Sequence, residues 1–165
     1  MSNLILQKKD IVFKFTGEVI FEKNSFHQLN KLIERLLNKN NNKTTIFIFI
    51  DHFFKRKKLK IKKVKNINLK KIYIDTSNEP DTDYLDRIVS KYKAIYKNYT
   101  AAIIGIGGGS VLDFAKGFSN MMTNPGKSEN YQGWNLLKKQ GIPKIGIPTI
   151  SGTGAESSRT CVFLN

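Results

Sequence analysis

The stretch that most restricts the fold of this chain is Ala101-Ala102-Ile103-Ile104-Gly105-Ile106-Gly107-Gly108-Gly109-Ser110-Val111-Leu112-Asp113-Phe114-Ala115-Lys116. A short apolar run ends in a cluster of glycines and an amphipathic segment opens at Ser110, which predicts a strand, a tight turn and a helix capped by that serine. Glycines let the backbone approach a ligand closely, and the first free N–H groups of the following helix point at whatever lies above them. The helix dipole favours anions there, so Gly107, Gly108, Gly109 and Ser110 are candidates for holding a phosphate. A plain strand-to-helix turn needs one glycine or two. Three in a row followed by serine is the pattern of a phosphate-binding loop.

Two familiar loops do not fit. The usual dinucleotide fingerprint has a glycine where Ser110 stands and an acidic residue about 20 positions later at the end of a second strand. A P-loop has Gly-Lys-Ser/Thr at the helix start, whereas Lys116 lies a turn and a half inside.

The rest of the chain supplies a frame for this loop. Ile11-Val12-Phe13-Lys14-Phe15 reads as a strand and Gly17 as a turn; Ser25 is expected to cap a helix with Phe26, Leu29, Leu32, Ile33, Leu36 and Leu37 on one face, stopped by the asparagine-rich run 38–42. Thr44-Thr45-Ile46-Phe47-Ile48-Phe49-Ile50 is a β-rich, nearly unbroken apolar run, the mark of a parallel strand buried on both faces. It ends at Asp51, which can accept hydrogen bonds from a ribose and repel a 2′-phosphate; turn chemistry gives it an equally good role capping the next segment. Lys71-Ile72-Tyr73-Ile74 forms a further strand, and from Asp81 a helix carries Tyr84, Leu85, Ile88, Val89, Tyr92 and Ile95 on one side. A last strand, Lys144-Ile145-Gly146-Ile147-Pro148-Thr149, runs into Ile150-Ser151-Gly152-Thr153-Gly154, a second hydroxyl- and glycine-rich loop. Alternating strands and helices imply an α/β, Rossmann-like, doubly wound and mostly parallel sheet. Ligands of such sheets sit at the carboxyl ends of the strands, which puts Asp51, the Asn78-Glu79-Pro80 turn and both glycine loops on one rim. Two loops on one rim suit the two ends of a dinucleotide. The residues by themselves lead to a nucleotide-binding α/β domain and specify no reaction.

With 165 residues, 40% of them hydrophobic, the chain can bury a core and is expected to form one domain over 1–165. The formal net charge of +15 is concentrated in the lysine-rich run 55–65. No aromatics interleave with those lysines, so the run reads as a solvated face; a basic nucleic-acid-binding module is the alternative it leaves open. His27 and His52 have no partner at metal-ligand spacing. Cys161 is alone, which excludes an internal disulfide framework and suits a reducing cytoplasm, and its apolar neighbours favour burial. The first ten residues lack a signal-peptide core and the longest apolar run, 46–50, is too short to span a bilayer, so a soluble cytoplasmic protein is expected.

The loop from Gly107 to Lys116, together with Pro148-Thr149-Ile150-Ser151-Gly152-Thr153-Gly154-Ala155-Glu156, resembles the paired signatures of iron-containing (group III) alcohol dehydrogenases, which share a fold with dehydroquinate synthase and glycerol dehydrogenase. Within that family, Tyr131-Gln132-Gly133-Trp134 and Ser158-Arg159-Thr160-Cys161-Val162 resemble the branch that oxidises C8 of 3-deoxy-D-manno-octulosonate in lipopolysaccharide biosynthesis. The resemblance implies that Gly108, Gly109 and Ser110 hold a pyrophosphate and that Asp113 begins the supporting helix. Thr149, Ile150 and Thr153 of the second loop, with Ser158, Thr160 and Val162, would line the adenosine and nicotinamide sides. Asp51 would hold the adenine ribose and favour NAD over NADP. Two positions depart from the family pattern: Glu79 stands where many members have Asn, and Ile150, where many have Thr, offers only its backbone.

The resemblance also implies a divalent metal, iron or zinc, held by one Asp and three His of a C-terminal helical domain, which polarises the alcohol oxygen. This chain has two histidines, neither in a ligand motif. It is therefore expected to be either the cofactor half of a longer enzyme, homo-oligomeric when full length and acting on an alcohol or sugar acid, or a cofactor domain without chemistry of its own; in both cases no catalytic or metal-ligating residue is expected within it. A dehydroquinate synthase or glycerol dehydrogenase type of relative is the second enzyme reading.

Overall fold

The computed structural model describes residues 17–38, 43–57, 59 and 61–165. The strand expected over 11–15, and residues 39–42 of the asparagine-rich run, lie outside them.

Four strands form one sheet, β1 (Thr45–Asp51), β2 (Asn68–Ile74), β3 (Thr100–Gly107) and β4 (Lys144–Pro148), in the order β2-β1-β3-β4. Every adjacent pair is parallel. The two central strands are the two apolar runs: all of β3 is buried, and β1 is buried up to Asp51. Strand alternation sends their side chains to two separate cores. Phe47, Phe49 and Ile103 face α2 (Thr82–Tyr96) and α3 (Gly109–Thr123), while Ile46, Ile48, Ile50 and Ile104 face α1 (Leu29–Asn38). Helices on both faces of a parallel sheet make the fold doubly wound, as the alternating pattern predicts.

Three local readings change. Ser25 does not cap α1: a 3-10 turn, Ser25–Gln28, precedes the helix, Asn24 stands before that turn in the left-handed region at φ 62°, and no side chain caps it. Ile95 does not join the buried stripe of α2 and is 60% exposed. Tyr96 packs instead, its ring 5.7 Å from that of Phe47, because the sheet face at this end is built of phenylalanines that edge-to-face rings fill better than a branched aliphatic. Cys161 is half-buried, and burial pushes its thiol pKa up. Asp81 does cap α2, accepting from the Tyr84 amide at 2.6 Å.

Helix α3 is the pivot of the molecule. It is apolar nearly all round, the property of a helix enclosed on all sides. Two glycines let it approach so closely. A Cβ on Gly105 of β3 would lie 3.0 Å from Ala115 Cβ, and one on Gly117 would lie 2.7 Å from the Phe163 ring and 2.9 Å from Leu85 of α2. The segment after the second glycine loop returns across α3 and reaches the start of α2, where Thr82 N donates to Leu164 O (3.0 Å) and Leu164 N to Pro80 O (3.2 Å).

Candidate functional site

The carboxyl ends of β1, β3 and β4 converge on α3. Its N-cap is Gly108, with no side-chain cap, and the helix starts at Gly109 rather than Ser110. Ser110 therefore does not cap; its hydroxyl donates to Glu79 Oε2 at 3.0 Å, a charged acceptor from the neighbouring turn. A glycine N-cap with no side chain over it leaves the first-turn amides of a 15-residue helix open to an anion.

The second loop faces the first. Thr149, the first residue after β4, donates its amide to Gly107 O (3.0 Å) and ties the two strand ends together. A Cβ on Gly108 would meet Ile150 Cδ1 at 3.2 Å, and one on Gly109 would meet Thr153 Cβ at 3.4 Å. Both missing side chains thus point into the cleft between the loops. Gly152 (φ 96°) and Gly154 (φ 65°) take left-handed backbone at the turn of the second loop.

Asp51 closes the rim on the other side. Its Oδ1 accepts from the Phe53 amide (2.9 Å), which caps the following 3-10 turn, and its Oδ2 accepts from Thr76 Oγ1 (3.2 Å). A carboxylate has about four acceptor positions, so this half-buried group keeps capacity for a diol while held in place. Next to it, the Ser77 hydroxyl and amide hold the Asp75 carboxyl below its usual range. Asp51, Gly107, Gly108, Gly109, Ser110, Thr149, Ile150 and Thr153 are thereby brought together on one rim, with Glu79 among them.

Asp113, Ser158, Thr160 and Val162 form a different group on the flank of α3. Asp113 is buried in the second turn, where its Oδ2 accepts from the Val162 amide at 2.9 Å and its Oδ1 lies 2.7 Å from Lys116 Nζ. Lys116 also donates to Ala155 O (3.1 Å), Ser158 Oγ (3.0 Å) and Thr160 O. This pair, three residues apart on the helix, clamps the segment after the second loop. Sequence reasoning weighed Lys116 only as a P-loop lysine and missed this role. Its signal was an Asp and a Lys three positions apart inside an otherwise apolar helix, a spacing that places both on one face.

The rim fits a dinucleotide: open helix amides, two glycines whose side chains would fill the cleft, and a carboxylate with spare acceptors. A metal does not fit in the same way. Among the described residues no three His, Cys, Asp or Glu side chains are grouped to hold an ion. No helix among them is long and apolar enough to cross a membrane.

Glu79 is the carboxylate on the rim that reaches the first turn of α3, through the Ser110 hydroxyl. Two unit charges about 4 Å apart in water differ in energy by about 1 kcal/mol. Glu79→Gln keeps an acceptor for Ser110 and removes the charge, so NADH affinity is expected to rise about fivefold at low salt, the gain shrinking in 0.5 M salt, roughly a 4 Å Debye length. Titration of both proteins by NADH fluorescence checks it; weaker binding by the variant would instead place the carboxylate on a sugar hydroxyl.

The chain is 38% identical over 93 residues to sulfoacetaldehyde reductase of Bilophila wadsworthia, covering 56% of this chain and 23% of that protein. It is 44% identical over 64 residues to long-chain-alcohol dehydrogenase 1 of Geobacillus thermodenitrificans, 37% of this chain and 16% of that protein. Among solved structures, sulfoacetaldehyde reductase from Bifidobacterium kashiwanohense in complex with NAD+ superposes with a TM-score of 0.61 at 20% identity, over 84% of this chain and 35% of that one. A 1,3-propanediol oxidoreductase superposes with a TM-score of 0.64 at 17% identity, over 86% and 36%. The chain thus spans less than a quarter of the length of these curated relatives and about a third of the solved chains. The family profile described as iron-containing alcohol dehydrogenase matches residues 16–165, and on that match the chain belongs to the iron-containing alcohol dehydrogenase family.

Proposed function

We propose that residues 1–165 are the NAD-binding part of an alcohol dehydrogenase. The observation that carries this is the uncapped N-terminus of α3, opening between two glycine loops at the carboxyl rim of the sheet. Gly108, Gly109 and Ser110 give their amides to the pyrophosphate, backed by Gly107. Asp51 accepts from the adenine ribose hydroxyls. Thr149, Ile150 and Thr153 line the facing wall, and the segment of Ser158, Thr160 and Val162, fixed by Asp113, borders the nicotinamide side. Bound NAD supplies the hydride acceptor. The chain's own residues bind it, orient it and cover its pyrophosphate. The described residues form no group that could hold a metal.

For the complete protein, the resemblance of the segments around Tyr131 and Arg159 supports a sugar-acid terminal hydroxyl as substrate, in the setting of a cytoplasmic homo-oligomer. The lone free Cys161 is in keeping with a reducing compartment. Oxidation of simple primary alcohols but not of 3-deoxy-D-manno-octulosonate by the full gene product would reject that substrate.

The test of the cofactor reading is a pair of titrations. NADH is expected to bind the chain about tenfold more tightly than NADPH, because the Asp51 carboxylate repels a 2′-phosphate. Asp51→Asn keeps both the cap on Phe53 and the Thr76 contact, and is expected to close most of that gap. Absence of NADH binding overturns the reading, as does salt-sensitive duplex DNA binding that NADH leaves untouched.

A further inference from the structure

We propose that the cavity between the carboxyl-terminal half of α3 and the start of β4 is a second anion site, built for a small phosphate ester or pyrophosphate group and separate from the dinucleotide rim. The cavity measures about 330 Å³, and Lys116, Lys138, Lys139, Lys144, Ser158 and Arg159 are on its walls. Among the described residues no Asp or Glu lines it. At about 1.5 Å of rise per residue, Lys116 and Asn120 lie roughly 9 and 15 Å along α3 from Ser110, so the two anion positions do not overlap.

The strap that carries Lys138 and Lys139 is held by two fully buried polar groups, and on the opposite wall Lys116 is fixed by its pairing with Asp113 (2.7 Å). Asn124, fully buried at the end of α3, accepts from the Lys138 and Lys139 amides (2.9 Å each) through Oδ1 and donates to Lys139 O (2.8 Å) through Nδ2. Ser119, also fully buried, donates its hydroxyl to Ile142 O at 2.7 Å. Gly141 lets this strap lie against the helix: a Cβ there would stand 2.4 Å from Asn120 Oδ1. On the opposite wall, Lys116 holds Ala155 O, Ser158 Oγ and Thr160 O, and Arg159 is braced by Asn135 Oδ1 (2.8 Å) and by the Trp134 ring, 5.2 Å from its centroid.

A solvated basic face needs no such fixing. Lys138, Lys139 and Lys144 have no acidic partner among the described residues, and all three line one concavity. Burial pushes the Lys144 ammonium pKa down, with Lys116 adding to the effect, and an anion in the cavity would offset both. Several ammonium groups around a pocket of this size suit a compact group carrying more than one negative charge.

The probe is inorganic pyrophosphate, titrated into the isotopically labelled chain and read by amide chemical shifts. Expected are shifts at Gln140 and Gly141 that saturate together, with an affinity about tenfold weaker in Lys138→Ala/Lys139→Ala. Lys62→Ala/Lys63→Ala removes the same charge from a remote exposed stretch and is expected to change that affinity by less than about twofold. Lys144→Gln, read in parallel, is expected to weaken binding without touching the strap. Shifts confined to Gly108, Gly109 and Ser110, equal losses in the two double variants, or no shifts at all would overturn the proposal. Because the two sites are read separately, loss of one leaves the other measured.

Discussion

Gly109→Ala leaves the chain folded and lowers its NADH affinity about a hundredfold. A Cβ at this position meets Thr153 Cβ at 3.4 Å, an ordinary contact, so the apo fold has room for it. The same Cβ points into the cleft where a pyrophosphate must come down onto the amides of α3. Losing two hydrogen bonds to charged phosphate, at about 1.5 kcal/mol each, corresponds to roughly that factor. Gly107→Ala is the contrasting case. Its Cβ would lie 2.7 Å from Val111 Cβ and 3.2 Å from Asp51 Cβ, inside the strand-to-helix joint. Overpacking there is expected to reduce stability by about 1–3 kcal/mol. Denaturant melts and NADH titrations of both variants separate the two roles. A Gly109→Ala chain that binds NADH like the parent would remove the glycine loop from the cofactor site.

The features legible in the sequence are those that depend on local pattern alone. The run from Ile46 to Ile50 could only be a strand buried on both faces, and the glycine cluster after Ile106 had to be a close-approach turn. Strand ends in a parallel sheet share a rim, so placing Asp51, Gly107 and Thr149 together needed no long-range information. What failed was decided by tertiary neighbours. Ser110 reads as a cap, yet Glu79, 31 positions away, offers its hydroxyl a charged acceptor and the capping position falls to a glycine. Ile95 satisfies the helical period of α2, but the rings of Phe47 and Tyr92 complete that face with Tyr96. The flank of α3 was the largest omission. Nothing in the spacing of Asp113 and Lys116 tells that a segment 39 to 49 residues later folds back onto them.

That fold-back makes Lys116 the residue whose loss has the largest effect on stability. Its ammonium neutralises a carboxylate of which one oxygen, Asp113 Oδ1, is fully enclosed with no other polar neighbour. It also satisfies the carbonyls of Ala155 and Thr160. Lys116→Met fills similar volume but strips the buried carboxylate of its counter-ion and Ala155 O of the Lys116 donor, while Thr160 O keeps the Ser158 hydroxyl (3.3 Å) and Asp113 Oδ2 the Val162 amide (2.9 Å). Breaking a buried pair from one side destabilises by about 3–5 kcal/mol, roughly a 10 °C fall in Tm for a chain of this size. The double variant Asp113→Asn/Lys116→Met removes both charges and is expected to recover a large part of that loss, since the penalty is mainly the stranded carboxylate. The same cycle read by NADH binding tests the link from the clamp to the site. With the segment over Ser158, Thr160 and Val162 released, affinity is expected to stay below that of the parent even where stability returns. If Lys116→Met melts with the parent, the ion pair is not what holds the second loop. The apolar packing of Phe163 on Phe114, 6.2 Å between ring centroids, would then be left to hold it.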